Sequence, residues 1–396
     1  MTTRHQKYGM ISNVRVNIQA WKDICFLRYR IRRITCYEGI NVGAMSKNKA
    51  SLQNKIYRKI HGIIFSKLKL QNKILFLYPS VRHMKKMKNK KMPFVDLDTV
   101  YFTQIPNEGA GIGHQLANFI GGLHYAHVFG LKHACPHFKN SEWDSFFGFY
   151  ENEITVNELK KNGYKMVRLP YFDEKRDYEY ISDIIKSYSG CKVILQTELD
   201  QFYEKQYEEI PTLKELFEKA KIRKSEKDIF DKNKINIAVH VRRGDIVVGQ
   251  KTGETTLTKR WLDFDYFEKV VEALHTVIQS CGYSEMPEIY IFSQGDASQY
   301  AFFEKYGNVH YCLDMDAKTS FLAMVRADII VTSKSSFSYK PALLSDGIRI
   351  CPAEFWHGYP DNEDWYVASD DGKIADMSGL MQRMESLIQL RKKSNG

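Results

Sequence analysis

Residues 235–245 read Ile-Asn-Ile-Ala-Val-His-Val-Arg-Arg-Gly-Asp. The first half alternates branched apolar residues, the pattern of a buried strand. The second half abruptly offers an imidazole, two guanidiniums, a turn glycine and a carboxylate. A guanidinium fork binds phosphate oxygens two at a time, so Arg242 and Arg243 at a strand end suit a diphosphate. In an open α/β sheet, ligands bind beyond the carboxyl ends of strands, which is where Arg242, Arg243 and Asp245 fall. An Arg-Arg pair alone would be an exposed basic turn. Fused to a buried strand through His240, it favours a site.

A second chemical stretch, Thr-Ser-Lys-Ser-Ser-Phe-Ser at 332–338, directly follows the apolar run 329–331. Hydroxyls and backbone N–H groups at a helix start make an anion site, with Lys334 adding charge. Pro341 is best accommodated in the first turn of a helix, which places the helix start near Ser338 and leaves Ser335 and Ser336 in the turn. By itself such a turn is an ordinary N-cap. A third stretch, Asn-Glu-Gly-Ala-Gly-Ile-Gly-His-Gln at 107–115, sits between an expected strand (98–103) and helix (115–129). Its glycine spacing is not G-x-G-x-x-G; Gly109, Gly111 and Gly113 either let backbone N–H groups approach a ligand or allow tight helix–strand packing.

The elements that must carry these stretches alternate. After residue 231 the pattern predicts strands at 235–241, 288–293, 308–312, 328–332 and 348–351. Helices are expected at 264–279, 297–306, 320–327 and 337–344, with a terminal helix at 375–389. Such alternation argues for a parallel sheet covered on both faces. Residues 131–230 are less legible, apart from a strand at 191–197 and an amphipathic helix at 211–221. The division expected is a basic extension and linker at 1–94, a first α/β domain at 95–230, a second at 231–372 and a C-terminal helix and tail at 373–396.

Charge separates the extension from the rest. The 396 residues carry a net +11. Residues 1–94 hold 22 Lys and Arg against Asp23 and Glu38, and the remainder is net acidic. An apolar stripe from Ile56 to Leu75 within this basic setting fits either an interfacial helix on anionic lipid or a solubilising arm. The seven scattered cysteines include no C-x-x-C, which favours reduced thiols in a cytoplasmic protein over a disulfide framework or zinc site. No apolar run reaches the roughly 18 residues of a membrane span.

Taken together, H-V-R-R-G-D at 240–245, S-K-S-S-F-S at 333–338 and G-I-G-H-Q at 111–115 resemble the three motif blocks of the GDP-fucose-using glycosyltransferase superfamily, most nearly its α1,2-fucosyltransferase-like branch. The blocks fall in the family's order over residues 97–360. The resemblance implies a GT-B fold of two facing Rossmann-like domains. It also implies a metal-independent, inverting transfer of L-fucose from GDP-β-L-fucose to a glycan hydroxyl. Arg242 would grip the β-phosphate, His240 and Arg243 would lie against the donor, and Ser335, Ser336 and Phe337 would border the diphosphate. Gly111, Gly113 and Gln115 would line the cleft from the other side. For the general base the candidates are Asp245, Glu108 and Glu254. Two departures stand out: His114 replaces the family's Asn, and Ser320 stands at the expected helix start where an Asp for guanine is common, with Asp314 or Asp316 as substitutes.

These expectations make the chain an enzyme of surface polysaccharide or lipopolysaccharide synthesis. It would be cytoplasmic and peripheral at a membrane through residues 55–91, with no cofactor, no metal and no specific nucleic acid. A transferase for another GDP-sugar, or a non-catalytic nucleotide-sugar or polyanion binder, are the alternatives. Arg243-Gly244-Asp245 as an integrin motif and Asp314-Met-Asp316 as a metal site are both set aside as chance matches. The aromatic runs 143–150 and 355–357 could stack a sugar, but are expected in the core.

Overall fold

In the computed structural model the described residues are 75, 78–88, 94–107, 109–197, 201, 204–244, 246–247, 258–361 and 364–394. The chain divides into two units, Met1–Ile74 and Leu75–Gly396, and everything below belongs to the second. Two parallel sheets organise it. The first has four strands: β1 (Val100–Thr103), β2 (Lys132–His133), β3 (Lys165–Arg168) and β4 (Val193–Gln196), in the order β2-β1-β4-β3. The second has six: β5 (Asn236–His240), β6 (Glu288–Ser293), β7 (Asn308–Leu313), β8 (Ile329–Val331), β9 (Ile348–Pro352) and β10 (Trp365–Ala368). Their order, β10-β9-β8-β5-β6-β7, is the dinucleotide-fold order 3-2-1-4-5-6 read from the far edge. The expected α/β architecture of two Rossmann-like halves is what the chain adopts.

Central strands are buried on both faces, so their sequences read as continuous apolar runs. Along β5, Ile237 and Val239 join one core cluster while Ala238 joins the other. Helices cover both sides. α1 (Pro79–Met87) comes first, followed by α2 (Ile112–Val128), α3 (Ser141–Phe147), α4 (Val156–Lys161), α5 (Glu174–Lys186) and α6 (Ile210–Glu218). The second half adds α7 (Phe264–Ser280), α8 (Ala317–Arg326), α9 (Ser336–Leu344) and α10 (Met377–Ser394). α2 is apolar nearly all round and buried almost throughout, as expected of a helix enclosed between a sheet and a second helix.

The N-terminal boundary differs from expectation. Order was expected from Val95, with residues 85–91 as linker. Instead α1 buries Ser80 and Val81. The Ser80 hydroxyl donates to the Arg168 carbonyl at 2.8 Å, and Tyr78 and Val81 enter the core beneath α5. The lysines of this helix sit on its solvent face, so its composition read as linker. The stripe at 56–74 lies outside the described residues. At the other end, α10 is no appendage: Leu380, Met384 and Ile388 complete the second core. Among the described residues no helix is long and apolar enough to cross a membrane, and the five described cysteines are free.

Candidate active site

β5 and β8 are neighbours, although they are the first and fourth strands of their sheet in chain order. The connections leaving them diverge to opposite sides, which opens the switch-point crevice where such sheets hold ligands. His240 closes β5, and Arg242 follows it at the rim, partly exposed. The turn then reverses at Gly244, with φ of +65°. Glycine adopts this left-handed conformation without the strain a Cβ would add. From β6, Ser293 Oγ donates to the Val241 carbonyl at 2.6 Å and meets the Tyr300 hydroxyl at 2.6 Å. The arginine turn is thus braced from behind.

The serine turn after β8 faces it. Ser335 caps α9, its Oγ accepting from Phe337 N at 3.2 Å and from Arg242 Nη1 at 2.9 Å. Ser338 Oγ accepts from Ser333 N at 3.2 Å and donates to the Ser335 carbonyl at 3.3 Å. His240 Nδ1 lies 2.8 Å from Ser333 Oγ. These bonds lock the ends of β5 and β8 together and leave Ser336 and Phe337, both partly exposed, at the opening. Burial, reinforced by the Arg242 charge, depresses the His240 pKa to about 3, so the imidazole is neutral.

The first half delivers a second helix start to the same place. α2 begins at Gly111 without a side-chain cap. A Cβ on Gly113 would lie 2.6 Å from the carbonyl carbon of Ser336 and 2.9 Å from Phe337 N. The first turns of α2 and α9 therefore touch backbone to backbone. Neither carries an acidic residue. Each N-terminus presents about half a positive charge, and Arg242 adds a full one.

The expected site residues separate into groups. His240, Arg242, Ser335, Ser336, Phe337, Gly111 and Gly113 converge on the crevice. Arg243 does not. It is buried, with Nη1 donating to the carbonyls of Arg242 at 2.9 Å and Leu262 at 3.2 Å. Its guanidinium lies between Trp261 and Phe264, 4.2 and 4.3 Å from their ring centroids. It braces the turn, because an arginine deprived of solvent takes carbonyl and aromatic partners. Gln115 is likewise occupied, donating to the Ala110 carbonyl at 2.8 Å and accepting from Lys139 N at 3.1 Å. It holds the glycine loop in place. Lys334 is buried and paired with Asp370 at 2.5 Å, so its charge is not offered to the crevice. Asp245, Glu108 and Glu254 lie outside the described residues.

Two helix starts differ from expectation. α9 begins at Ser336, ahead of the expected Ser338, and Pro341 sits inside it. Burial of Tyr339, Ala342, Leu343 and Leu344 outweighs the one backbone bond the proline removes. α8 begins at Ala317, so the residue at its start is Asp316 and not Ser320. Asp316 Oδ2 accepts from Lys318 N at 3.2 Å and from Thr319 N and Oγ1 at 3.0 and 3.1 Å. Ser320 is buried one turn on. The capping pattern Asp-x-x-Thr was the available signal. Among the described residues no group of three or more His, Cys, Asp or Glu side chains could hold a metal ion.

No family model matches the chain, and no curated protein matches it. Solved structures do. POFUT1 in complex with GDP is similar at 15% identity and TM-score 0.38, over 64% of this chain and 96% of that one. POFUT1 in complex with GDP-fucose gives 16% and 0.38 over the same shares. E. coli heptosyltransferase WaaC with ADP gives 11% and 0.30, over 74% and 98%. What this crevice can do follows from its own residues.

Proposed function

We propose that the crevice binds the diphosphate of a GDP-sugar and that the protein transfers L-fucose from GDP-β-L-fucose to a hydroxyl of a glycan acceptor with inversion. The observation that supports this is the backbone contact between the first turns of α2 and α9, neither of which carries an acidic residue, beside Arg242. Arg242 takes the β-phosphate oxygens, and the Ser336 N–H at the start of α9 adds a donor. Neutral His240 lines the nucleotide. Asp316, at the start of α8, accepts from the guanine N–H donors.

In the transfer, the bond from the sugar C1 to the β-phosphate oxygen breaks through an oxocarbenium-like state, and its electron pair leaves with GDP. The acceptor oxygen forms its bond to C1 from the opposite face, and its proton passes to a carboxylate, with Asp245 preferred over Glu108 and Glu254. Arg242 and the helix N–H groups meet the leaving charge, each such donor being worth about 10²–10³ in rate. The basic residues of the N-terminal stretch hold the enzyme near an anionic membrane where a polysaccharide or lipopolysaccharide acceptor is assembled.

Purified protein is expected to release GDP from GDP-fucose in the presence of EDTA. Absence of GDP binding in calorimetry, or GDP binding weaker than ADP, would overturn the donor assignment. Turnover of GDP-mannose in place of GDP-fucose would move it to another GDP-sugar.

A further inference from the structure

The aromatic run at 355–357 was expected in the core. Phe355 and His357 are buried, but Trp356 is 46% exposed. Among the described residues it is the one exposed large apolar side chain on a loop at the carboxyl edge of the second sheet, the edge that carries Arg242 and the serine turn. Its exposure does not come from a loosely held loop. Lys205 N donates to the His357 carbonyl at 3.1 Å, the Tyr339 hydroxyl to the Gly358 carbonyl at 2.9 Å, and the Tyr359 hydroxyl to the Pro352 carbonyl at 2.9 Å. The His357 ring stacks on Tyr339 at 4.7 Å and 7°, and Tyr339 stands one turn into α9. The loop is therefore fastened to the helix that forms the anion site.

Phe355 backs the indole at 4.4 Å. The Arg260 guanidinium lies 5.1 Å from its ring centroid, and Arg260 is on the connection that leaves β5 through Arg242. An indole presented outward on a fixed backbone suits a ligand with an apolar C–H face and polar edges. A pyranose ring has that chemistry. We propose that Trp356 is the platform on which a pyranose of the acceptor glycan stacks. This rests on the transferase reading above and adds where its second substrate is held.

The test uses the full chain and four probes at millimolar concentration: methyl β-galactoside, methyl β-glucoside, methyl N-acetyl-β-glucosaminide and methyl β-glucuronide. Saturation-transfer NMR is expected to detect at least one of them. Binding should weaken about tenfold in Trp356→Ala and less in Trp356→Phe, which keeps a stacking face. GDP affinity, measured by calorimetry, should be unchanged in both variants. The platform is wrong if no pyranoside binds, if binding is indifferent to Trp356, or if Trp356→Ala weakens GDP itself. Trp356-dependent pyranoside binding in a protein that ignores GDP would support the platform while removing the donor reading.

Discussion

Gly113 and Ser336, one on each half of the molecule, are in backbone contact: a Cβ on the glycine would stand 2.6 Å from both the carbonyl carbon and the carbonyl oxygen of the serine. Neither atom can rotate away as a side chain could. Gly113→Ala must therefore push the first turns of α2 and α9 apart. Overpacking of this kind costs about 1–3 kcal/mol, visible as a lower melting temperature. GDP affinity should fall with it, because the two helix starts no longer point at one anion. A variant that melts lower yet binds GDP as tightly as the parent would separate that contact from the site.

Arg242 bridges the arginine strand and the serine turn through Ser335. Arg242→Ala should abolish GDP release from GDP-fucose, with a loss of about 10²–10³ or more. Arg242→Lys should recover little, since an ammonium lacks the planar fork that holds Ser335 and a phosphate together. Full recovery by lysine would mean that only charge matters here.

Two buried imidazoles make the fold sensitive to acid. Burial depresses the pKa of both His240 and His133 to about 3, below the unfolded value near 6.5. Below pH 6.5 the unfolded chain binds protons that these folded sites refuse, so their contribution to stability is present above 6.5 and is lost progressively as pH falls toward 3. His124 opposes this. Its pKa is raised: burial pulls it down, but the flanking Glu209 and Glu174 win. Its contribution is full below 6.5 and is lost as pH rises through the folded value. The single-site difference isolates the effect. His133→Phe should flatten the decline of unfolding free energy between pH 7 and pH 5 in urea titrations. An unchanged slope would mean that His133 takes up its proton in the folded state.

Five of the six strands of the second sheet were legible, the central ones because they are apolar on both faces, and its helices carry clean stripes, as in Val270, Val271 and Leu274 of α7; β10, four residues at the edge of the sheet, was missed. In the first half β1, α2, β4 and α6 were legible, but the other elements were not. β2 spans two residues, and β3 is half-exposed along its length, so neither makes an apolar run. α3 and α4 are only seven and six residues long, too short for a periodicity to show. At the site, residue types located the crevice but not the direction of each side chain. Arg242 and Arg243 are adjacent and chemically identical, yet one faces the rim and the other lies between Trp261 and Phe264. Gln115 looked available because a glutamine reaching back to its own glycine loop leaves no mark on spacing.

Lys340 is the most demanding residue at the seam between the halves. It is fully buried on α9, and burial holds its pKa well below the ordinary lysine value. Its Nζ donates to Gln206 Oε1. Gln206 in turn donates from Nε2 to the Ala117 carbonyl on α2 at 2.8 Å. The pair thus ties together the two helices whose first turns form the anion site. Gln206→Leu leaves the amine without its carbonyl partner and should cost about 1–3 kcal/mol. Lys340→Met in that background removes the stranded group and should recover most of the loss, since an apolar side chain of similar volume replaces a desolvated amine. Chemical denaturation of the two single variants and the double variant measures the coupling. Additive losses would show that Lys340 and Gln206 do not depend on each other, and the link between α9 and α2 would then rest on packing and the Gly113 contact alone.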